Sequence, residues 1–192
     1  MRNGWLLGIL AVAVAACDSD GSTSQAAVAR KPLYFNLKGF LDKQTQLLKH
    51  RSPAVVKQVK LRDGHGETTR VTGISWSKEL QIFYQADINK SALRGAYTVD
   101  APVPAAGGLQ QQTYRRKAGV DNAVERLTVL SDPQGVREVA ATLSQNNALF
   151  FSRKELILRA NQGLLTTYRV IGVQKLILFD TLRYSAVVQV QQ

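Results

Sequence analysis

Apolar residues recur at helical spacing in two stretches of this chain and at strand-like spacing through most of the rest. Between positions 34 and 49, Leu37, Phe40, Leu41, Gln44, Leu47 and Leu48 form one stripe, with Lys38, Asp42, Lys43 and Lys49 opposite or beside it. That spacing predicts an amphipathic helix. Asn36 stands where an N-cap belongs, and Pro53 follows the expected end. A second helix is expected over 75–87, where Trp76, Leu80, Phe83 and Tyr84 share a face, Ser75 can cap and Glu79 sits near the positive end.

Strands fill the remainder. Segments 54–62 and 67–73 flank Asp63, Gly64, His65 and Gly66, a strong hairpin signal. Pro102, Pro104, Gly107 and Gly108 make 102–108 a loop. Apolar strands are then expected over 123–130, 136–143, 149–159, 164–171 and 174–190. Asp132, Pro133, Gln134 and Gly135 fit a type I turn, and Ala160, Asn161, Gln162 and Gly163 form a similar one. Short turns between strands require antiparallel pairing, because parallel pairs need long crossovers. The expected fold is therefore α+β: a curved antiparallel meander of about seven to nine strands with two amphipathic helices packed on one face. Alternation fails near the end. Leu176, Leu178 and Asp180 share one parity while Lys175, Ile177 and Phe179 share the other. Either both faces of the sheet are covered there, or the sheet curls around an apolar interior.

The first residues follow a different rule. Arg2, an apolar run from 5 to 16 and a small-residue zone make a secretory layout. The run is too short to cross a bilayer, which takes roughly 20 residues. Val14, Ala15, Ala16 and Cys17 match a lipobox: an aliphatic residue, two small residues and the cysteine whose sulfur accepts the diacylglyceryl group. Ordinary secretion with cleavage after Ala15 would leave Cys17 a bystander. Lipid modification is favoured because Cys17 is the only cysteine of the chain and can form no internal disulfide. Residues 1–16 are thus expected to be a lipoprotein signal peptide. Residues 17–31 would be the lipidated cysteine and a polar tether with an r.m.s. reach of about 20 Å. Residues 32–192 would form one α+β domain. Asp18 and Asp20, just after the cysteine, resemble an inner-membrane retention signal in enteric bacteria and a surface-export signal in Bacteroidota, so the leaflet stays open.

The whole chain of 192 residues carries a formal net charge of +11, and loss of Arg2 with the signal peptide lowers this by one. Such a surplus favours anionic surroundings, such as phospholipid headgroups or acidic envelope polymers. An exported, tethered location argues against nucleic acid, and no aromatic–glycine pattern for stacking bases is present. The basic clusters are Lys49, His50 and Arg51; Arg115, Arg116 and Lys117; and Arg153 with Lys154. Within the second, strand alternation sends Arg116 to the face opposite Arg115 and Lys117.

Catalytic chemistry finds little support. No Gly-x-Ser-x-Gly elbow occurs, and acylation would remove Cys17 as a nucleophile. His50 and His65 are the only histidines and have no partner at zinc-ligand spacing. Asp87, Asp100 and Asp180 lie in or beside apolar context and would interest an acid–base enzyme only if buried together. No enzyme, cofactor or metal site is expected.

Three stretches carry a resemblance: YFNLKGFLDKQ at 34–44, SWSKELQIF at 75–83 with ADINK at 86–90, and QKLILFD at 174–180. Together they resemble a group of small lipoproteins of Bacteroidota that has no assigned activity, which implies the outer membrane. The order of elements is also similar to half-barrel carriers and receptors that bind lipoprotein acyl chains in the periplasm. The leading expectation is a membrane-anchored cell-envelope lipoprotein, a non-enzymatic binding or scaffold module at an anionic surface or partner. The alternative is a carrier that holds an acyl chain between sheet and helices, with Phe40, Leu41, Trp76, Leu80 and Phe83 lining its pocket.

Overall fold

A computed structural model of the protein describes residues 32–60 and 66–191. Cys17, the lipobox and the tether lie outside the described residues, as do Asp63, Gly64 and His65 of the first hairpin turn.

The first helix, α1, spans Leu37–Arg51. The Asn36 side chain accepts from the Gly39 amide at 2.9 Å, which satisfies one of the open N-terminal donors. At the other end Ser52 turns left-handed at φ 46° and its amide donates to the Leu48 carbonyl, after which Pro53 bars continuation. The expected stripe narrows to Leu37, Leu41, Gln44 and Leu48 at full burial, with Phe40 and Leu47 at its margin.

The second helix is not continuous. A single α-turn, α2 (Trp76–Glu79), passes into a 3-10 segment, Gln81–Ala86. Trp76 is buried in the α-turn, and Leu80, Phe83 and Ala86, three apart, are buried after it. A 3-10 turn eclipses side chains at that spacing, so the tighter helix puts all three on one ridge where an α-helix would spread them. The Ser75 side chain makes no cap; its carbonyl accepts from the Lys78 and Glu79 amides instead.

Among the described residues ten strands form one antiparallel sheet: β1 (Val55–Lys60), β2 (Gly66–Val71), β3 (Tyr97–Val99), β4 (Val103–Ala105), β5 (Leu109–Arg116), β6 (Val124–Asp132), β7 (Gly135–Asn146), β8 (Phe150–Asn161), β9 (Leu164–Leu176) and β10 (Leu182–Val190). Their order is β2-β1-β10-β9-β8-β7-β6-β5-β3, with β4 also paired to β5. The meander from β5 to β10 is as its short turns require; β1 closes onto β10. Ten strands exceed the expected seven to nine because 97–99 and 103–105 pair with β5, where only a loop was expected over 102–108.

The core lies on one face, called inner here. Register aligns Lys57, Val188, Tyr168, Leu158, Val139 and Val129 across six strands. Most of that row is buried in one cluster with Leu37, Leu41, Leu48, Trp76, Leu80 and Phe83. Gln44 ties α1 to the β8–β9 turn, donating to the Gly163 carbonyl at 3.0 Å and accepting from the Leu165 amide at 2.8 Å. Glu79 ties α2 to the sheet through Lys57 at 2.7 Å and the Tyr168 hydroxyl at 2.6 Å. Tyr34 packs edge-on against Tyr97 and Tyr114, with ring centroids 5.6 and 5.9 Å away.

The strand expected over 174–190 is two elements. Positions 174–176 end β9, and 177–181 form the tip of the β9–β10 hairpin. Mixed parity at Leu176–Phe179 therefore reflects neither a doubly covered sheet nor a curled one. Leu176 is the last paired residue of β9, and Ile177, Leu178 and Phe179 have left the sheet. Leu176, Ile177, Leu178, Phe179 and Leu182 are 41, 63, 87, 69 and 44% exposed.

Candidate functional site

Strand alternation sends Lys60, Arg153, Glu155, Ile171, Val173, Arg183 and Ser185 to the outer face. Cross-strand register brings them together. Lys60 pairs with Ser185, Ser185 with Ile171 and Ile171 with Glu155; one step on, Arg183 pairs with Val173 and Val173 with Arg153. With Lys154, Gly172 and Tyr184 of the row between, they line a groove of about 410 Å³ in which Ile171 and Val173 lie among Lys60, Arg153, Arg183 and the Glu155 carboxylate. Behind it, on the inner face, the Tyr184 ring lies flat over Gly172 so closely that any Cβ there would overlap it. An aromatic ring covering a cross-strand glycine holds the register of this pair. Burial pushes the Tyr184 hydroxyl pKa upward.

The three basic clusters legible in the sequence do not converge. Lys49, His50 and Arg51 close α1 beside the start of β1. Arg115 binds Asp100 at 2.9 Å on the outer face, while Arg116 projects inward to the Asn122 carbonyl. Arg153 joins the groove, but Lys154 points the other way, to Gln85 at 3.2 Å. The groove instead recruits Lys60 and Arg183, which belong to none of these clusters. Only the pairing of β1, β10, β9 and β8 reveals them.

The carboxylate candidates are dispersed. Asp87 accepts from the Asn89 amide at 3.1 Å in a local turn, and Asp100 pairs with Arg115. Asp180 stands exposed in the β9–β10 tip. His50 is exposed at the end of α1. Among the described residues no group of three or more His, Cys, Asp or Glu is arranged to hold a metal ion. The residues named for an acyl pocket belong to the core: Leu41, Trp76, Leu80 and Phe83 are at most 3% exposed, and Phe40 packs at the margin. A wider hollow of about 700 Å³, between the β5–β6 connection and β8, is lined mainly by polar groups including Arg116, Asp121, Asn122 and Glu125.

Among the described residues no helix is long and apolar enough to cross a membrane. No protein family, curated protein or solved structure matches the chain.

Proposed function

We propose that this chain is a cell-envelope lipoprotein, anchored through Cys17 at the outer membrane, and that it acts as a non-enzymatic binding or scaffold module against an anionic surface. The two helical segments would close the inner face, leaving the outer face free for contact. The observation that carries this reading is the groove, where Ile171 and Val173 lie among Lys60, Arg153 and Arg183, with Glu155 as the one carboxylate in its lining. A positive, partly apolar concavity suits a phosphate-bearing or carboxylate-bearing amphiphile better than a small neutral solute. Burial of Trp76, Leu80 and Phe83 in one core cluster with the sheet weighs against the carrier alternative, which needs them to line a pocket.

Two measurements test it. Cys17→Ala should abolish palmitate labelling and release the protein from membranes; unchanged labelling overturns the anchor. Residues 32–192 form one compact unit. That fragment should bind vesicles containing phosphatidylglycerol with an affinity that falls steeply between about 50 and 500 mM salt, and Arg153→Glu with Arg183→Glu should remove most of the salt dependence. Binding that ignores both salt and charge reversal contradicts the electrostatic contact.

A further inference from the structure

The large apolar residues left exposed are concentrated at one end of the sheet. Ile177, Leu178 and Phe179 form the β9–β10 tip together with Asp180 and Thr181, Leu176 and Leu182 flank it at the strand ends, and Leu149, 67% exposed, forms the neighbouring β7–β8 tip. The two tips are joined by a hydrogen bond of 3.1 Å from the Ile177 amide to the Leu149 carbonyl, so they form one apolar prow. Each is also held internally. Asn147 caps the β7–β8 tip by accepting from the Leu149 and Phe150 amides, and the Phe179 amide closes onto the Leu176 carbonyl. Single exposed apolar residues are ordinary, but a contiguous cluster marks a contact surface.

We infer that this double tip inserts into the interfacial layer of an anionic bilayer, with the groove cations seated at the level of the lipid phosphates. The inference deepens the proposed function and rests on it. Its first support is charge. Lys175 directly precedes the apolar residues, and Arg183 follows Leu182. Arg153 stands across Val173 from Arg183. At about 3.3 Å per strand residue, these cations stand on the order of 10 Å behind the tip. Apolar groups of interfacial proteins sit about 5–10 Å into the headgroup–acyl boundary, which places the cations among the phosphates. The second support is where the described chain begins. Tyr34 lies against Tyr97, which opens β3 opposite Arg116, the last residue of β5. The meander brings that end of β5 to the same edge as the two tips. A segment of only 15 residues, Cys17 to Lys31, separates the lipobox cysteine from that point, so a lipid on Cys17 would join the described chain at the edge that carries the tips.

The test uses the full chain, purified from membranes and reconstituted in phosphatidylethanolamine–phosphatidylglycerol vesicles with brominated acyl chains. Leu178→Trp introduces an indole at the tip, Gln134→Trp introduces one at the opposite β6–β7 turn, and the wild type supplies the background from the native Trp76. The tip indole should be quenched at least about twofold more than background, the opposite one no more than background, and the difference should shrink when phosphatidylglycerol is omitted. Retained protein with a tip indole at background overturns insertion while leaving the anchor intact. Protein that is not retained overturns both. A tip indole shielded from aqueous iodide yet unquenched by bromine, with a doubled particle mass, shows that a second copy covers the tip and also overturns insertion.

Discussion

The two ends of the β5–β10 meander are built from the same hairpins and finished in opposite ways. At one end the turns are polar and cross-linked. Asp132 accepts from the Gln134 and Gly135 amides, and Arg137 reaches Asp132 at 2.6 Å, Gln134 at 2.7 Å and Asn161 of the next hairpin at 2.8 Å. The Arg137 guanidinium holds the Asp132 carboxyl below its usual pKa. Gln162 and Gly163 both take positive φ in the β8–β9 turn, and Gln44 fastens that turn to α1. At the other end, beside the polar β5–β6 connection, the β7–β8 and β9–β10 hairpins finish in Leu149 and Ile177–Phe179, exposed and joined by the Ile177–Leu149 hydrogen bond. An antiparallel hairpin needs no apolar tip. Polar turns at one end show that this sheet closes hairpins without them, so apolar character at the other end answers to something outside the fold.

The sharpest way to break the comparison is to ask which end carries stability. Gln44→Ala removes one buried and one part-buried hydrogen bond and opens a void beside the β8–β9 turn, and should cost about 2–4 kcal/mol in denaturant unfolding. A loss below about 0.5 kcal/mol would mean that α1 is held by its apolar stripe alone. The tip end has its own core behind the exposed residues. There burial pushes the Tyr97 hydroxyl up to about 12 from an ordinary 10, while it donates to the Val124 carbonyl at 2.7 Å. The folded state then keeps a proton that the unfolded state loses. That contribution is complete below pH 10 and disappears as pH rises to 12, a loss on the order of 2–3 kcal/mol. Tyrosinate absorbance and circular dichroism should therefore change together over this window; ionisation of all tyrosines near pH 10 without unfolding would contradict the buried hydroxyl. Arg137→Ala should cost about 1 kcal/mol by unpinning the polar turns. Smallest of all, Leu178→Ser should shift unfolding in solution by no more than about 0.5 kcal/mol, and a large loss would show that the tip is folded against the protein after all.

How far the sequence spoke depends on the range of the interaction. Helix α1, its Asn36 cap and the hairpins at 132–135 and 160–163 were legible because each rests on contacts a few residues apart. The helix expected over 75–87 was misjudged because Leu80, Phe83 and Ala86 suit a three-residue period as well as a 3.6-residue one, and contacts with Tyr168 and Lys57 decide between them. The groove was invisible, since Lys60, Arg153 and Arg183 meet only through strand order. Segment 174–180 gave a true signal in its failure to alternate. Apolar residues on both parities could be read as two buried faces; no local rule announced that they face neither.

Hydrogen–deuterium exchange of the full chain, free in detergent and bound to anionic vesicles, tests the central contrast most directly. The account predicts slower exchange on binding in 147–151 and 174–183, with 132–137 and 161–165 unchanged. Protection confined to the polar turns, or none at either end while the protein remains bound, would contradict it.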